Sequence, residues 1–261
     1  MIDCHHHIIP SFDDGARDPS VTLKMCRIAV EDGVKGIIAT PHHRNGLYNS
    51  SPDVVREKVR KLNKAIRKVG LDLTIYPGCE AHISPHLAES VEAGETLTLN
   101  EGCYLLLELP PQEVPAGVEQ VVFELQSRGI YPILAHPERI GSVQRDPNSI
   151  LPLVHAGVLM QLTGLSITGG FGHEAKECAA TLLARRMAHI IASDAHSFRH
   201  RTPRLSMAVE AAAEILEDEI EARRMVEDIP SMVLRGEPYE PPPPVDYEPP
   251  KRSFFSFLWG R

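Results

Sequence analysis

The chain has 261 residues, 43% of them hydrophobic, with a formal net charge of −8. That length fits one large domain, because a single α/β barrel fills roughly 250 residues. The acidic balance, with no long basic block, disfavours tracking of a nucleic-acid backbone, and equally an anionic membrane over most of the length.

Five scattered cysteines without a CxxC pair predict a reducing compartment and no disulfide framework. No apolar run approaches the roughly 20 residues of a membrane-spanning helix. The N-terminus enters a strand pattern at once, without a signal peptide. A cytoplasmic globular protein is the expectation.

In chain order, residues 2–7 form an apolar strand that ends in histidines. Side chains alternate along a strand, so His5 and His7 share a face and can grip one metal ion. His6 faces the other way and is read as non-ligating. Taken alone, the pair fits an ordinary polar strand end equally well. Asp18-Pro19 then opens a helix, with proline in its first turn, and Gly33 closes it. Strand-like runs follow at 36–40, 71–76, 104–109, 131–135, 158–162 and 190–193. Helical patterns with similar punctuation fill 51–70, 84–94, 115–129, 146–157 and 174–187. Seven strands, mostly followed by helices, predict a parallel, barrel-like α/β sheet.

Residues 95–109 break the rhythm, and the alternation around Asn100-Glu101-Gly102 predicts a hairpin. Helical material resumes over about 205–234. After Gly236 the composition changes. Glu240 to Pro244 and Pro249-Pro250 read as a stiff, unpacked polyproline segment, and residues 251–261 carry three Phe and the only Trp among basic residues. That end either packs back or docks to a partner or membrane surface. The expected division is a domain over 1–236 and a Pro-rich, aromatic-ended tail over 237–261.

Nearly every strand ends in a metal-competent side chain: His5 and His7, His42, Glu80, Glu108, His136, then Asp194 and His196. In a parallel barrel all strand C-termini open on one face, so eight such residues predict one polynuclear site. Imidazoles and carboxylates without thiolates suit Mn²⁺, Fe²⁺ or Zn²⁺ in a hydrolase. Paired ions can activate water and stabilise a leaving oxygen, which is what phosphoryl transfer needs. Arg139 follows His136, and Arg201 and Arg204 follow His196, as candidate donors to phosphate oxygens. A surface salt bridge is the competing role for each arginine.

With these residues assembled, the chain resembles the PHP (polymerase and histidinol phosphatase) superfamily. Within it, the similarity is to the bacterial manganese-dependent protein-tyrosine phosphatases of capsule and exopolysaccharide loci. The stretches that carry it are His5-His6-His7-Ile8-Ile9-Pro10 with Asp13-Asp14-Gly15-Ala16, Ile38-Ala39-Thr40-Pro41-His42-His43, and Gly78-Cys79-Glu80. They continue with Leu134-Ala135-His136-Pro137-Glu138-Arg139, Gln161-Leu162-Thr163 and Ala192-Ser193-Asp194-Ala195-His196. His6 and Ser11 depart from the smaller residue and the glycine common there.

The resemblance implies an α/β distorted seven-stranded (βα) TIM-like barrel, the PHP fold, holding two to three ions, Mn²⁺ first and Fe²⁺ or Zn²⁺ next. It places His5, His7, Glu80 and Asp194 on one ion, with Glu80 bridging to a second held by Glu108 and His136. Asp14, His42 and His196 would hold a third. Arg139 and Arg201 match positions that bind substrate phosphate. His43 stays open between ligand and pocket lining, while His82, His86, His155, His173, His189 and His200 take surface or helix roles.

The implied activity is hydrolysis of phosphotyrosine on a partner protein, in particular a tyrosine kinase of polysaccharide export, by a metal-activated hydroxide. A cysteine-based phosphatase is excluded, since none of the five cysteines has an arginine six positions on. The rivals are a small-molecule phosphatase such as histidinol-phosphate phosphatase, and a non-catalytic regulatory binder. The ungapped ligand set argues against the binder.

Overall fold

A computed structural model describes residues 1–245. The strands are β1 (Ile2–His6), β2 (Gly36–Ala39), β3 (His42–His43), β4 (Thr74–Pro77), β5 (Glu80–His82), β6 (Tyr104–Glu108), β7 (Tyr131–Ala135), β8 (Leu159–Thr163) and β9 (Ile190–Ala192). These nine trace seven lines, because two predicted strands are interrupted, one at Thr40-Pro41 and the other at Gly78-Cys79. Pro41 has no N–H to give a ladder. Gly78 is so close-packed that an added Cβ would stand 3.0 Å from both Ile38 and Leu99. Beyond the breaks the chain pairs anew, His42 opposite Glu80.

Every strand pairing is parallel, in the orders β1-β2-β4 and β3-β5-β6-β7-β8-β9. The barrel closes between β9 and β1, where Asp194 N donates to His5 O at 2.9 Å and His7 N to Ala195 O at 3.0 Å. This is the seven-stranded (βα) barrel, distorted where the ladder switches from β2 and β4 to β3 and β5.

Strand alternation sorts the apolar residues into two layers. Tyr104, Leu106, Ile133, Leu159 and Ile190 fill the interior, whereas Leu105, Leu107, Leu134 and Met160 join the larger core under the helices. Those helices are α1 (Pro19–Glu31), α2 (Pro52–Lys68), α3 (Leu87–Glu92), α4 (Val118–Ser127), α5 (Gly141–Arg145), α6 (Leu151–His155), α7 (Gly164–Thr168), α8 (His173–Ala184), α9 (Ser206–Leu216), α10 (Glu219–Arg224) and α11 (Asp228–Arg235). Asp18 caps α1 by accepting from Ser20 N and Val21 N. Ile229 and Val233 of α11 plug the interior, leaving the strand C-termini as the open face. Among the described residues, no helix is long and apolar enough to cross a membrane.

Two expectations are corrected. The predicted hairpin is a single 3-10 turn, Leu99–Glu101, with Asn100 and Glu101 at φ of 51° and 58°. The apolar alternation that suggested a strand instead sends Leu99 into the barrel interior beside Ile38, Tyr104 and Leu106. The start of the proline-rich tail is not unpacked. Tyr104 Oη donates to Glu237 O at 2.9 Å and accepts from Tyr239 N at 3.0 Å. Tyr239 also packs on the interior cluster, and Val245 N donates to Arg185 O at 2.8 Å. A polyproline stretch has no hydrogen bonds of its own, so one tyrosine and a few backbone groups suffice to hold it down. The aromatic end at 251–261 lies outside the described residues.

Candidate metal centre

The strand ends converge. His5 Nδ1 donates to Gln161 Oε1 at 2.8 Å, and His7 Nδ1 donates to Asp13 Oδ2 at 2.7 Å. Each partner oxygen can only accept, so both imidazoles are left with a bare Nε2 lone pair. The two Nε2 atoms stand 3.2 Å apart. Carboxylate oxygens join them: Glu80 at 3.3 and 3.4 Å, Asp194 Oδ1 at 3.3 and 3.4 Å. His196 Nδ1 donates to the Asp194 carbonyl at 3.0 Å, which turns its own Nε2 towards Asp14 at 3.4 Å. His42 Nδ1 lies 2.9 Å from Glu80 Oε2 without hydrogen-bond geometry, and His136 Nε2 lies 3.0 Å from Glu80 Oε1. Lone pairs facing lone pairs in a buried pocket are stable only around positive charge. The donor set therefore fits divalent ions.

Four overlapping groups have ligand atoms mutually within 4.8 Å: His7, Asp14, His42 and His196; His5, His7 and Glu80; His5, His136 and Asp194; His42, Glu80 and Glu108. All nine expected ligands take part. The grouping differs from the expected partition in more than one respect: His7 also joins Asp14, His42 and His196, and Asp194 shares no group with His7 or Glu80. Glu108 falls with His42 and Glu80, whereas His136 falls with His5 and Asp194.

Electrostatics point the same way. Burial pushes the Glu80 carboxyl up, but His5, His136 and His42 outweigh it and hold it well below the carboxylate range. Asp194 behaves alike: burial is overcome by His5, His7 and Arg201. Burial also opposes charge on His7, yet Asp13, Asp194 and Glu80 raise it well above an ordinary histidine. The cluster is a sink for cations, whether protons or metals.

The backbone is shaped for this convergence. His136 and Asp194 adopt φ of 37° and 50°, a left-handed conformation costing about 1–3 kcal/mol each. His136 N is tied to Gln161 O at 2.8 Å and Asp194 N to His5 O at 2.9 Å. At Gly15 an added Cβ would sit 2.2 Å from His7 O and 2.4 Å from His7 Cβ. Only glycine lets the Asp13-Asp14 loop lie against His7, just past the end of β1.

Arg139 Nη1 donates to Asp194 Oδ2 at 2.7 Å, and Arg201 Nη2 donates to the same oxygen. Both guanidiniums are partly exposed at the rim of the cluster. Arg204 is not brought in; it faces Asp32 at 3.9 Å. His43 turns away to Thr96 Oγ1 at 3.0 Å and, like the buried His6, belongs to none of the four groups.

His86, His155, His173 and His200 are exposed. His189 is not on the surface: it is buried in the core and accepts from Met160 N at 2.9 Å. His82, expected on the surface, reaches Glu108 Oε2 at 3.4 Å. Sequence reasoning gave no role to Asp13 or Gln161, although a glutamine in an apolar strand was a signal. It also missed two rings: Tyr48, stacked 6.0 Å from His42, and Phe171, beside both rim arginines. Both lie in loops, where no periodicity marks them.

The family model for capsular polysaccharide synthesis proteins CpsB/CapC matches residues 1–235. The chain belongs to the CpsB/CapC family. Its relatives include the tyrosine-protein phosphatase YwqE of Bacillus subtilis, 36% identical over 99% of this chain and 100% of that protein. The tyrosine-protein phosphatase CpsB of Streptococcus pneumoniae is 26% identical over 82% of this chain and 90% of its own length. In structure, the chain superposes with a TM-score of 0.91, at 34% identity, on a chain from the crystal structures of YwqE from B. subtilis and CpsB from S. pneumoniae, metal-dependent tyrosine phosphatases. That match covers 95% of this chain and 100% of the other. A TatD-family hydrolase from Entamoeba histolytica, at 9% identity and a TM-score of 0.53, shares the fold alone.

Proposed function

We propose that this family member is a metal-dependent protein-tyrosine phosphatase, with His5, His7, Asp14, His42, Glu80, Glu108, His136, Asp194 and His196 as its metal ligands. The observation that carries this reading is the set of bare imidazole nitrogens and carboxylates gathered beside two rim arginines. The absence of thiolate donors favours Mn²⁺, then Fe²⁺ or Zn²⁺; Cys79, next to Glu80 in sequence, directs its Sγ to Leu97 O at 3.1 Å instead. Bound ions supply activated water and Lewis-acid stabilisation of the departing oxygen.

The chain's own residues do the rest. Gln161 and Asp13 fix the tautomers of His5 and His7, so that Nε2 of each is free to ligate. Arg139 and Arg201 take phosphate oxygens, held meanwhile by Asp194 Oδ2. A tyrosine phenol, with a pKa of about 10, leaves as its anion far more readily than a serine alkoxide, so the reaction does not depend on a strong general acid. The named relatives support a phosphotyrosine protein as substrate; in this reading it is a tyrosine kinase of polysaccharide export, met in the cytoplasm. Residues 1–236 form the catalytic domain in this reading, and 237–261 an appendage whose start is tied to that domain through Glu237, Tyr239 and Val245.

The test is to assay Mn²⁺-, Fe²⁺- and Zn²⁺-reconstituted protein on phosphotyrosine peptides, phosphoserine peptides and histidinol phosphate side by side. Preference for the phosphotyrosine peptides is expected. Preference for histidinol phosphate would overturn the protein-phosphatase reading in favour of a small-molecule phosphatase.

A further inference from the structure

Phe171 is a half-buried aromatic ring that belongs to neither hydrophobic cluster. What it does contact is charge. The Arg139 guanidinium carbon lies 4.5 Å from the ring centroid and that of Arg201 lies 5.6 Å from it. These are the two side chains that converge on Asp194 Oδ2.

The loop that presents the ring is built from Gly169, Gly170, Phe171 and Gly172, between α7 and α8. Gly169 and Gly172 adopt φ of 92° and 97°, and a Cβ on Gly170 would stand 2.9 Å from Leu165 Cδ2. A loop of three glycines has nothing to bury, and its one large side chain is spent on two arginines.

We propose that Phe171 is a positioning residue that acts through Arg139 and Arg201, holding them as a pair aimed at the substrate phosphoryl group. The inference rests on the reading above that these arginines take phosphate. Two guanidiniums brought together repel each other, and Asp194 Oδ2 satisfies only part of their charge. The negative face of an aromatic ring attracts both cations and restricts the rotamers of their long stems. When an incoming phosphate draws the arginines off Asp194, the ring keeps them from swinging into solvent. The role requires a π-face rather than bulk, and it concerns the phosphoryl group rather than what is esterified to it.

The test compares Phe171→Leu, Phe171→Tyr and Phe171→Trp in metal-loaded protein. It measures KM and kcat for phenyl phosphate and for an alkyl phosphomonoester, and binding of inorganic phosphate by calorimetry and as a competitive inhibitor. Phe171→Leu should raise KM and the phosphate dissociation constant about three- to tenfold, equally for both esters, with kcat nearly unchanged. Tyr and Trp should restore wild-type values, because they keep the π-face. Wild-type phosphate binding in Phe171→Leu overturns the inference, and so does a loss confined to the aryl ester, which would mark contact with the leaving group. Arg139→Ala and Arg201→Ala separate the two levels. If neither weakens phosphate binding, the phosphate reading itself fails; if both do while Phe171→Leu does not, only the inference about Phe171 fails.

Discussion

Replacing Asp13 by asparagine isolates the tautomer argument, because the shape is kept and only the acceptor pattern changes. Asp13 Oδ2 accepts from His7 Nδ1 at 2.7 Å and from His42 N at 3.2 Å, while Oδ1 accepts from Gly15 N at 3.0 Å. All three partners are donors, and an amide has one accepting end. With its oxygen towards His7 and His42, the NH₂ group meets the Gly15 N–H. With its oxygen towards Gly15, the NH₂ group confronts His7 Nδ1, which must then give up its proton to Nε2. A protonated Nε2 cannot ligate a metal. Loss of such a supporting partner weakens metal binding about 10- to 100-fold, or about 1.4–2.7 kcal/mol. Chelator-competition titration of Mn²⁺ would read this directly, with circular dichroism to establish that the variant is folded. An Mn²⁺ affinity within twofold of wild type would refute the reasoning that Asp13 sets the His7 tautomer.

Gly15→Ala should fold yet lose metal, since its Cβ must displace the loop from His7; unchanged metal content by elemental analysis would contradict the contact. His136→Ala should lose metal and turnover while the fold survives, and retention of full metal content would show the site misassigned. Tyr104→Phe removes the hydroxyl that joins Glu237 O and Tyr239 N, at a cost of about 1 kcal/mol. That corresponds to a melting point about 2–4 °C lower, and an unshifted melting curve would mean the tail's hold lies elsewhere.

His189 gives a pH prediction. Burial lowers its pKa to about 4, below the unfolded value of about 6.5. Between these values the unfolded chain binds the proton and the folded chain does not. Stability is therefore complete above about pH 6.5 and falls as pH drops to about 4, by about 3 kcal/mol in total from this group. His189→Gln, which can still accept from Met160 N, should flatten that fall in urea titrations; an unaltered pH slope would rule the group out.

Much of the site was legible because strand and barrel periodicities are local or nearly so. A histidine pair two residues apart on a strand must share a face, and parallel strands closed into a barrel must present their C-terminal residues together. That logic reached eight of the nine candidate ligands, with Arg139 and Arg201 beside them, without any distance being known; Asp14, in a loop after β1, came only from the family resemblance. The logic failed at 95–101, where alternating apolar residues belong to a 3-10 turn that fills the gap between β4 and β6. It failed also for His189, because the sequence around a histidine does not say whether its helix end or its strand start is covered.

The sequence by itself determined the element order, the barrel class and which side chains gather at the open face, since these follow from short-range pattern and chain topology. Only the tertiary structure decided which nitrogen of each imidazole is free, how Glu80 is shared, and what backs the arginines. Asp13 is six residues from His7, Gln161 is 156 from His5, and Phe171 lies in a loop far along the chain from Arg139. Hydrogen-bond direction and ring placement depend on distances of a few tenths of an ångström across such separations, and no periodicity in a one-dimensional chain encodes them.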